Sequence, residues 1–406
     1  MRAHIAALAD WVVRHRSSLP GWVNRVLDSA ARDPDGFVGR LAHRALGGGE
    51  SPVTEVPDTA IRVFIGPTNY SGQGYRWARA LEHANAAVGA KNMEIVIPGG
   101  YSFPADTSVP IAATSTAEWA QSEWKAVQRF SHVLFEAERP LFGRLFDRRV
   151  DAETAALEER GVSVAFLCHG TDVRNPREHA RRTPWSPYPE DPRTEVLQAD
   201  ADANIELLSR LGRPTFVSTP DLLDDVPWGI WCPVVIDADR FRSDRPAMAG
   251  GRVRVIHSSS SPVQKGSHII EPALAPLISS GAVDYELVTG VSSGRMPGIL
   301  ANADIVLDQF RLGSYGVAAC EAMAAGRVVV GHVLPDIRER IAAEIGIPLP
   351  IVEANPDTLH DVIAGMLSDP ESARAAASAG PKYVEAVHSG ARSAEALLTE
   401  WIRNSY

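Results

Sequence analysis

Short apolar segments alternate with amphipathic stretches from residue 61 onward, and this pattern predicts buried strands separated by helices. In the first half the predicted strands are Ile61–Ile65, Met93–Ile97, His132–Phe135, Val162–Cys168 and Pro214–Ser218. Helical periodicity between them covers Tyr75–Val88, Ala152–Arg160 and Thr194–Leu211. Continuous apolar strands are typical of a parallel sheet that is covered on both faces. Their alternation with helices predicts a doubly wound sheet.

The same alternation returns in the second half of the chain. The predicted strands there are Arg252–His257, Tyr285–Thr289, Ile305–Asp308 and Val328–Val330. The predicted helices are Ser267–Ile278, Arg295–Ala301, Val317–Ala325, Pro335–Ala343, Pro356–Leu367 and Ala373–Trp401. The predicted fold is therefore α/β, with two doubly wound, Rossmann-like parallel-sheet domains that face each other across a cleft at the carboxyl ends of their strands.

Domain boundaries follow from changes in this pattern. We predict a helical extension and linker over 1–50, a first domain over 51–236 and a second over 237–384. Residues 385–406 are predicted to cross back to the first domain as part of a helix, Lys382–Arg403. The apolar and basic stretches of 1–46 fit a helix that contacts a membrane surface or a partner. We favour a helical extension packed on the body, because the pattern is mixed and Lys is absent.

Bulk properties exclude several classes of protein. The 406 residues suffice for two domains, and the net charge of −10 argues against nucleic acid as the main partner. No run of 18 apolar residues and no secretory signal pattern occur, so we expect a cytoplasmic protein. The three cysteines are far apart and show no metal-binding spacing, which agrees with a reducing compartment.

The strongest chemical signal lies between Asp304 and Val330. A loop, Arg311–Gly316, contains Gly313, Tyr315 and Gly316 and precedes a helix that carries Glu321 about one turn from its start. Glycines before a helix let backbone amides approach an anion, and the helix N-terminus adds positive potential. A carboxylate at Glu321 can accept hydrogen bonds from two neighbouring hydroxyls of a ribose. The alternative is a glycine-rich turn before a packing helix, with Glu321 solvated.

The segment Glu321-Ala322-Met323-Ala324-Ala325-Gly326 resembles the donor-binding signature of family 4 glycosyltransferases, an E-x7-E pattern on the GT-B fold. The first glutamate of that pattern contacts the transferred sugar in the family, and its position here is Gly313. Asp308-Gln309 before the loop resembles a bacterial subgroup that also lacks this acid. The resemblance covers roughly residues 61–390 and implies a retaining transferase.

A second segment, Val255–Gly266, runs from a strand through a serine-rich turn to Lys265-Gly266. The ammonium group of Lys265 can neutralise a diphosphate leaving group. The family often has an arginine several residues earlier, where Ser259 and Ser260 stand in this sequence. The alternative is an ordinary serine-rich loop.

The first half offers weaker candidates. A glycine-containing turn, Gly66–Gly74, follows the first strand, and its position resembles the GT-B loop that approaches the donor phosphates and the acceptor. We expect close approach of the ligand at Gly72 and Gly74. The predicted donor-binding residues are thus Gly72, Gly74, Lys265, Gly313, Tyr315, Gly316 and Glu321.

Candidate catalytic residues are His169, Glu138 and Asp172. The strand Val162–Cys168 ends in His169-Gly170-Thr171-Asp172, which resembles a cleft-facing His-Gly-Ser/Thr-Asp turn of the family. The alternative is a strand-end turn in which Asp172 caps the next segment. Glu138 stands where many relatives carry a His-Glu-Pro turn, and an ion pair with Arg139 is its structural alternative.

One apparent metal motif is set aside. Val234-Val235-Ile236-Asp237-Ala238-Asp239 has the form of an apolar strand followed by Asp-x-Asp, which binds a divalent metal in another glycosyltransferase architecture. Together with Phe241 the segment resembles the interdomain strand of GT-B enzymes instead. We therefore predict no catalytic metal and no cofactor besides a nucleotide-sugar co-substrate.

The sequence thus predicts a metal-independent glycosyltransferase that uses a UDP- or GDP-sugar. The resemblance suggests a sugar, lipid-linked or small-molecule acceptor in envelope polysaccharide, glycolipid or related synthesis. Two long predicted loops, Tyr101–Thr116 and Arg174–Pro192, are candidates for acceptor binding, the second also as a lid. The alternatives are a catalytically silent homologue that acts as a binding or scaffold protein, and sugar-nucleotide epimerisation on the same fold.

Overall fold

The computed structural model describes residues 51–97, 103–259 and 261–405. The helical extension predicted over 1–50 and the position of Ser260 lie outside the described residues. Within the described part, the helices are all too short or too polar to cross a membrane.

A seven-stranded parallel sheet forms the first half of the fold. Its strands are β1 (Ile61–Gly66), β2 (Val88–Val96), β3 (Thr107–Pro110), β4 (His132–Glu136), β5 (Ser163–Cys168), β6 (Thr215–Val217) and β7 (Ile230–Trp231), in the order β3-β2-β1-β4-β5-β6-β7. The helices are α1 (Gln73–Ala84), α2 (Ala117–Val127), α3 (Val150–Glu158), α4 (Pro176–Arg182) and α5 (Thr194–Leu211). The order reverses at β1, which pairs with both β2 and β4. Such a reversal opens a crevice at the carboxyl ends of the strands.

A five-stranded parallel sheet forms the second half, in the order β12-β11-β10-β8-β9. Its strands are β8 (Val253–Ser258), β9 (Val283–Val288), β10 (Ile305–Leu307), β11 (Val328–Gly331) and β12 (Ile351–Glu353). The helices are α6 (Ala238–Phe241), α7 (Pro262–Lys265), α8 (Ser267–Ser279), α9 (Met296–Asn302), α10 (Val317–Ala324), α11 (Pro335–Ile345), α12 (Leu359–Ser368), α13 (Pro370–His388) and α14 (Ala391–Glu400). The two sheets confirm the predicted class of two Rossmann-like parallel-sheet domains.

Aliphatic side chains of the second sheet explain why these segments form strands. Val255, Ile305, Leu307, Val328 and Val330 are fully buried and share one core with α8 and α12. Branched residues of this kind fit a pleated surface that is covered by helices. The resulting sheet holds the ends of β8 and β10 side by side, since Leu307 pairs with His257.

Several predicted boundaries are wrong. The helix predicted over Tyr75–Val88 ends at Ala84, because Asn85 adopts an extended conformation and Val88 begins β2. The segment Val234–Asp237 is not a strand, and the Asp237 side chain instead caps α6 by accepting from the amide of Arg240. The predicted helix Lys382–Arg403 is broken after His388, where Gly390 has a φ of 100°.

Elements with little local signal were missed. Among them are β3, β7, β12, α2 and α4. The predicted loop Tyr101–Thr116 contains β3, and the predicted loop Arg174–Pro192 contains α4. The short strands have few residues to show a period, and α4 is a polar helix whose sequence offers no apolar stripe.

The chain divides into two compact units, and the division falls inside β5 between Ala165 and Phe166. The domain boundary near residue 236 stays a prediction. Within the second unit, α14 packs beside β7, and the Ser393 hydroxyl donates a hydrogen bond of 2.7 Å to the carbonyl of Pro233.

Candidate functional site

Lys265 lies at the end of a tight turn that follows β8. The short helix α7 ends with Lys265, and Gly266 then adopts a left-handed φ of 76° before α8 begins. The Lys265 Nζ donates to Asp308 Oδ1 at 3.1 Å and approaches the carbonyl of Ser258 at 3.5 Å. The Asp308 side chain is 2% exposed and that of Lys265 is 20% exposed. The Lys265 side chain is therefore partly accessible to solvent, while its partner is enclosed.

The His257 side chain connects the strand before this turn with its neighbours. Its Nδ1 lies 2.8 Å from the carbonyl of Leu307, and its Nε2 lies 2.8 Å from the Ser267 hydroxyl. Burial, with a contribution from the Lys265 charge, lowers the pKa of His257. The ring is then neutral, so Nδ1 carries the proton donated to the carbonyl and Nε2 accepts from Ser267. This arrangement joins β8, β10 and the start of α8 around Lys265.

The segment Gln309–Gly316, here called the donor loop, is organised by one buried amide. Gln309 Oε1 accepts from the backbone amides of Arg311 and Leu312 at 3.2 and 2.7 Å. Its Nε2 donates to the carbonyl of Ser314 and, at 2.8 Å, to that of His332. One side chain thus satisfies four backbone groups, three of them in the donor loop, and stabilises the conformation of the loop.

The structure shows why Gly313 is a glycine. Its φ is 69°, and a Cβ at this position would lie 2.6 Å from Leu334 Cγ. Its carbonyl also accepts from the amide of Leu334 at 3.0 Å. Both the backbone conformation and the contact with Leu334 disfavour a side chain, so an acidic residue does not fit this position of the loop.

We expect Gly313→Ala to lower the free energy of unfolding by at least about 2 kcal/mol, because left-handed strain adds to a steric clash. Gly346 is a matched control, since its φ is 78° and no atom lies within 4 Å of a Cβ built there. Gly346→Ala should cost only about 1 kcal/mol, from the backbone alone. Urea denaturation of both variants measures the difference, and equal losses would contradict the role of Leu334.

The N-terminus of α10 begins at Gly316 and has features of an anion site. Gly316 is extended, with a φ of −135°, and has no side chain with which to cap the helix. A Cβ built there meets no neighbour within 4 Å among the described residues, so neither backbone strain nor protein packing requires glycine. The first amides of a helix have no intrahelical acceptor. An anion can therefore approach this helix end closely.

Lys265 and the start of α10 lie around the same buried carboxylate. Burial raises the pKa of the Cys320 thiol well above its usual value, and the charges of Asp308 and Glu321 raise it further. Asp308 therefore lies near the first turn of α10 as well as against Lys265. Glu321 follows one residue later and is partly exposed. Lys265 and Cys320 thus both lie near Asp308, which follows β10, and the assignment of Lys265, Gly316 and Glu321 to a donor stays a prediction.

The side chain of Tyr315 points into the protein interior. Its hydroxyl lies 3.1 Å from that of Tyr383 and 3.2 Å from His388 Nε2. His388 Nδ1 in turn bonds to the carbonyl of Val234 at 2.8 Å. The Tyr315 hydroxyl is thereby committed to a buried network. Only the backbone of this residue would be left to bind a nucleotide-sugar donor. The network also ties the donor loop to the segment that follows β7.

Acid should destabilise this protein through its buried histidines. Burial lowers the pKa of both His179 and His388 to about 4, with the Arg174 charge contributing at His179. Between pH 4 and their ordinary value of about 6.5, the folded chain binds fewer protons than the unfolded chain. The free energy of unfolding therefore falls as the pH decreases through this window, by up to about 1.4 kcal/mol per pH unit and histidine.

Denaturant titrations from pH 7 to pH 4.5 test this expectation. His388→Asn keeps a donor near Nδ1 but cannot titrate, so its stability should depend less steeply on pH than that of the parent. If the free energy of unfolding changes equally with pH in the parent and the variant, the assignment of His388 as a buried neutral base is contradicted.

A buried ion pair supports the other side of the donor loop. Arg174 follows the turn after β5, and its Nη2 lies 2.6 Å from Asp221 Oδ2, with both side chains less than 10% exposed. The Ser314 hydroxyl donates to Asp221 Oδ1 at 2.6 Å. Burial alone would raise the pKa of Asp221, but the Arg174 charge and the bond from Ser314 hold it below its ordinary value. An ionised Asp221 thus links Arg174 with the donor loop.

His169 and Asp172 lie in one turn after β5. The Asp172 carboxylate accepts from the amide of His169 at 2.7 Å and from that of Gly170. The Ser218 hydroxyl donates to the carbonyl of His169 at 3.2 Å. Asp172 thus holds the strand-end turn together, but it does not cap the next segment, because the Asn175 side chain caps α4. A catalytic role for His169, whose side chain is partly exposed, stays a prediction.

Gly72 and Gly74 have reasons to be glycine that involve protein atoms. Gly72 has a φ of 73°, and a Cβ there would lie 3.2 Å from Phe103. At Gly74 a Cβ would lie 2.4 Å from Asn92 Nδ2 and 3.0 Å from the Glu136 carboxylate. Close approach of protein atoms therefore accounts for both glycines, and their assignment to the donor stays a prediction.

The acidic residues after β4 have different environments. Glu136 is fully buried and accepts from the amides of Thr68 and Asn69 at 3.2 and 3.0 Å. It therefore organises the turn after β1. Glu138 is 6% exposed and has a left-handed φ of 50°. Non-glycine residues in this conformation concentrate at functional sites, and a catalytic role for Glu138 stays a prediction.

Three supporting residues, Arg174, Asp221 and Arg311, were not identified as site residues from the sequence. Arg174 and Asp221 are 47 positions apart, and no local pattern links them. Asp221 follows Thr219-Pro220 in a segment interpreted only as the end of the first domain. In the sequence, Arg174, Asp221 and Arg311 are ordinary charged residues, and charged residues are common at protein surfaces.

No protein-family model and no curated protein matches this chain. Solved structures do match this chain. Sucrose-phosphate synthase from Thermosynechococcus elongatus is 12% identical and matches with a TM-score of 0.55 over 83% of this chain and 97% of that chain. Anabaena HepE in complex with UDP and glucose is 11% identical, with a TM-score of 0.52 over 83% and 98% of the two chains. The chain has the GT-B fold of these proteins, as predicted.

Proposed function

We propose that this protein transfers a sugar from a nucleoside diphosphate sugar to an acceptor hydroxyl. The observation that carries the proposal is the convergence of the Lys265 ammonium group and the uncapped start of α10 around Asp308, on a GT-B fold. A diphosphate needs a positive charge and backbone donors together, and both are present at this sheet end. HepE, a protein of the same fold, was solved with UDP and with UDP-glucose.

In the proposed reaction the bond between the anomeric carbon and the β-phosphate oxygen breaks, and its electron pair remains on the diphosphate. Lys265 and the amides that follow Gly316 stabilise the charge that develops there. The acceptor hydroxyl bonds to the anomeric carbon, and its proton passes to the departing β-phosphate oxygen. Glu321, one turn into α10, accepts hydrogen bonds from the ribose hydroxyls and so places the sugar.

We propose that transfer retains the anomeric configuration and needs no metal. Retention follows from the resemblance of the α10 segment to family 4 enzymes. Metal independence is supported by Lys265, whose fixed positive charge lies where a metal would otherwise neutralise the leaving group. The proposed donors are UDP- or GDP-sugars and the proposed setting is glycoconjugate synthesis on the cytoplasmic side.

One observation favours a second function, that of a nucleotide-binding protein without transferase activity. Gly313 replaces the acid that contacts the transferred sugar in family 4, and Leu334 fills the space that a side chain would need. Such a protein would bind a nucleotide diphosphate at Lys265 and α10 without holding the sugar for reaction.

A nucleotide-release assay with a panel of UDP- and GDP-sugars separates these functions, together with thermal unfolding in the presence of each nucleotide. A transferase should release UDP or GDP and be stabilised by the same nucleotide, by about 2.7 kcal/mol at one hundred times its Kd. Stabilisation without release in the presence of varied acceptors would favour the binding protein. No stabilisation by any of these nucleotides would reject the donor site.

A further inference from the structure

The segment Thr183–Asp191, here called the strap, connects α4 with the turn before α5. It contains three prolines, Pro184, Pro187 and Pro189, within nine residues. Each proline fixes its own φ and restricts the preceding residue, so the strap is stiff and moves largely as one piece. Its position therefore depends on its anchoring contacts.

Arg311 of the donor loop provides three of these anchors. Its Nε donates to the carbonyl of Trp185 at 2.9 Å, and its Nη2 donates to that of Ser186 at 2.8 Å. Its Nη1 lies 2.6 Å from Glu190 Oε2. The Arg311 side chain is only 6% exposed, whereas that of Glu190 is 61% exposed. The planar guanidinium thus binds both carbonyls and the carboxylate in one geometry, which a lysine cannot reproduce.

His179 adds a second connection between the strap and the donor loop. Its Nε2 lies 3.1 Å from the carbonyl of Leu312, and its Nδ1 lies 2.8 Å from the Ser186 hydroxyl. Because a carbonyl only accepts, Nε2 carries the proton and Nδ1 accepts from Ser186. The neutral imidazole therefore bridges the same two segments that Arg311 joins.

Arg311 also borders the Lys265 turn. A Cβ on Gly266 would lie 3.0 Å from Arg311 Cγ, so the stem of Arg311 packs directly against the residue after Lys265. On the following helix, His268 Nε2 lies 4.0 Å from Glu190 Oε2 of the strap. The strap thus contacts the donor loop directly and the start of α8 through Glu190, and Arg311 contacts both the strap and the Lys265 turn.

We propose that Arg311 is a positioning residue that couples the strap to the donor loop, so that binding of a nucleoside diphosphate and ordering of the strap depend on each other. The ligand half of this coupling rests on the proposed function. If a ligand bound at the donor loop restrains the strap, then loosening the strap must lower the affinity for that ligand by the same factor. The reason is that coupling between two sites is reciprocal.

Hydrogen exchange of the full chain, with and without UDP or GDP, tests the coupling. In Arg311→Ala, peptides covering both the strap and the donor loop should exchange faster than in the parent without any ligand. Nucleotide should protect the strap of the parent and not that of the variant, and its Kd should rise about tenfold. Arg311→Lys should recover part of the strap's protection, because it can pair with Glu190 but cannot bind both carbonyls.

Arg252→Ala is the matched control, because Arg252 forms an exposed ion pair with Asp284 on another part of the second sheet. This variant should leave the hydrogen exchange of the strap and the donor loop unchanged, and also the Kd of the nucleotide. Unaltered strap exchange in Arg311→Ala, or in Arg311→Lys if the alanine variant does not fold, would overturn the proposal. If neither UDP nor GDP binds the parent, the donor-site function and the ligand half of the coupling both fail, while exchange without ligand still decides whether Arg311 joins the two segments.

Discussion

Replacing Lys265 by methionine is expected to reduce sugar transfer at least about a hundredfold, since loss of one charge-stabilising group at a reacting centre has effects of this size. The reduction should appear in kcat as well as in donor affinity, because the charge on the diphosphate grows as the glycosidic bond breaks. Methionine keeps a long unbranched side chain, so the stem of the residue still fills the turn. Steady-state kinetics with the donor found in the release assay measure both effects.

The substitution has a second consequence that must be separated from catalysis. Lys265 is paired with Asp308, whose side chain is 2% exposed, and its removal leaves a buried carboxylate without this cation. We therefore expect a loss of stability as well, because an uncompensated buried charge is costly. The double variant Lys265→Met/Asp308→Asn removes both charges.

The double variant should regain much of the stability without regaining transfer. Recovery of transfer together with stability would show that Lys265 serves only to neutralise Asp308, and the diphosphate assignment would be wrong. The pair of variants therefore distinguishes a structural lysine from a leaving-group ligand.

Replacing Asp221 by alanine is expected to lower the free energy of unfolding by about 3 to 5 kcal/mol, the usual cost of removing one partner of a buried ion pair. Arg174, 7% exposed at its side chain, would lose the partner of its two bonds to Asp221 Oδ2. The hydroxyl of Ser314 would lose its acceptor at the same time. Because Ser314 belongs to the donor loop, nucleotide binding should weaken along with stability.

An exposed ion pair in the same chain provides the comparison. Arg252 and Asp284 lie 3.0 Å apart, with both side chains 56% exposed. Asp284→Ala should change stability by no more than about 1 kcal/mol, as is usual for surface pairs. Equal effects of Asp221→Ala and Asp284→Ala in urea denaturation would show that the buried network contributes nothing particular to the donor loop.

Much of the fold could be predicted because its information is local. The five strands predicted in the first half each correspond to a strand of the structure, and α5 spans the predicted Thr194–Leu211. Their apolar runs are long enough to identify the buried faces. The missed strands β7 and β12 have two and three residues and take their conformation from neighbouring strands.

The candidate site likewise contains residues with a local sequence pattern and residues whose surroundings only the structure shows. Lys265, Gly316 and Glu321 could be proposed because a strand end, a glycine and a helix start are adjacent in the chain and form a recognisable pattern. Gly72 and Gly74 belong to a similar pattern, yet protein atoms occupy the space around them. A glycine before a helix indicates that other atoms approach the backbone closely. It does not indicate whether those atoms belong to a ligand or to the protein.

The sequence by itself therefore determined the longer strands and most helices, the class of fold and the residues at the carboxyl ends of β8 and β10. Only the tertiary structure decided what holds the donor loop, because Ser314 meets Asp221 over a separation of 93 residues and Arg311 meets the strap over 125. It also decided that the Tyr315 hydroxyl faces the interior and that Leu334 excludes a side chain at Gly313. Periodicity along a chain encodes which face of an element is buried, whereas polar partners distant in sequence are chosen only when the packed elements bring them together.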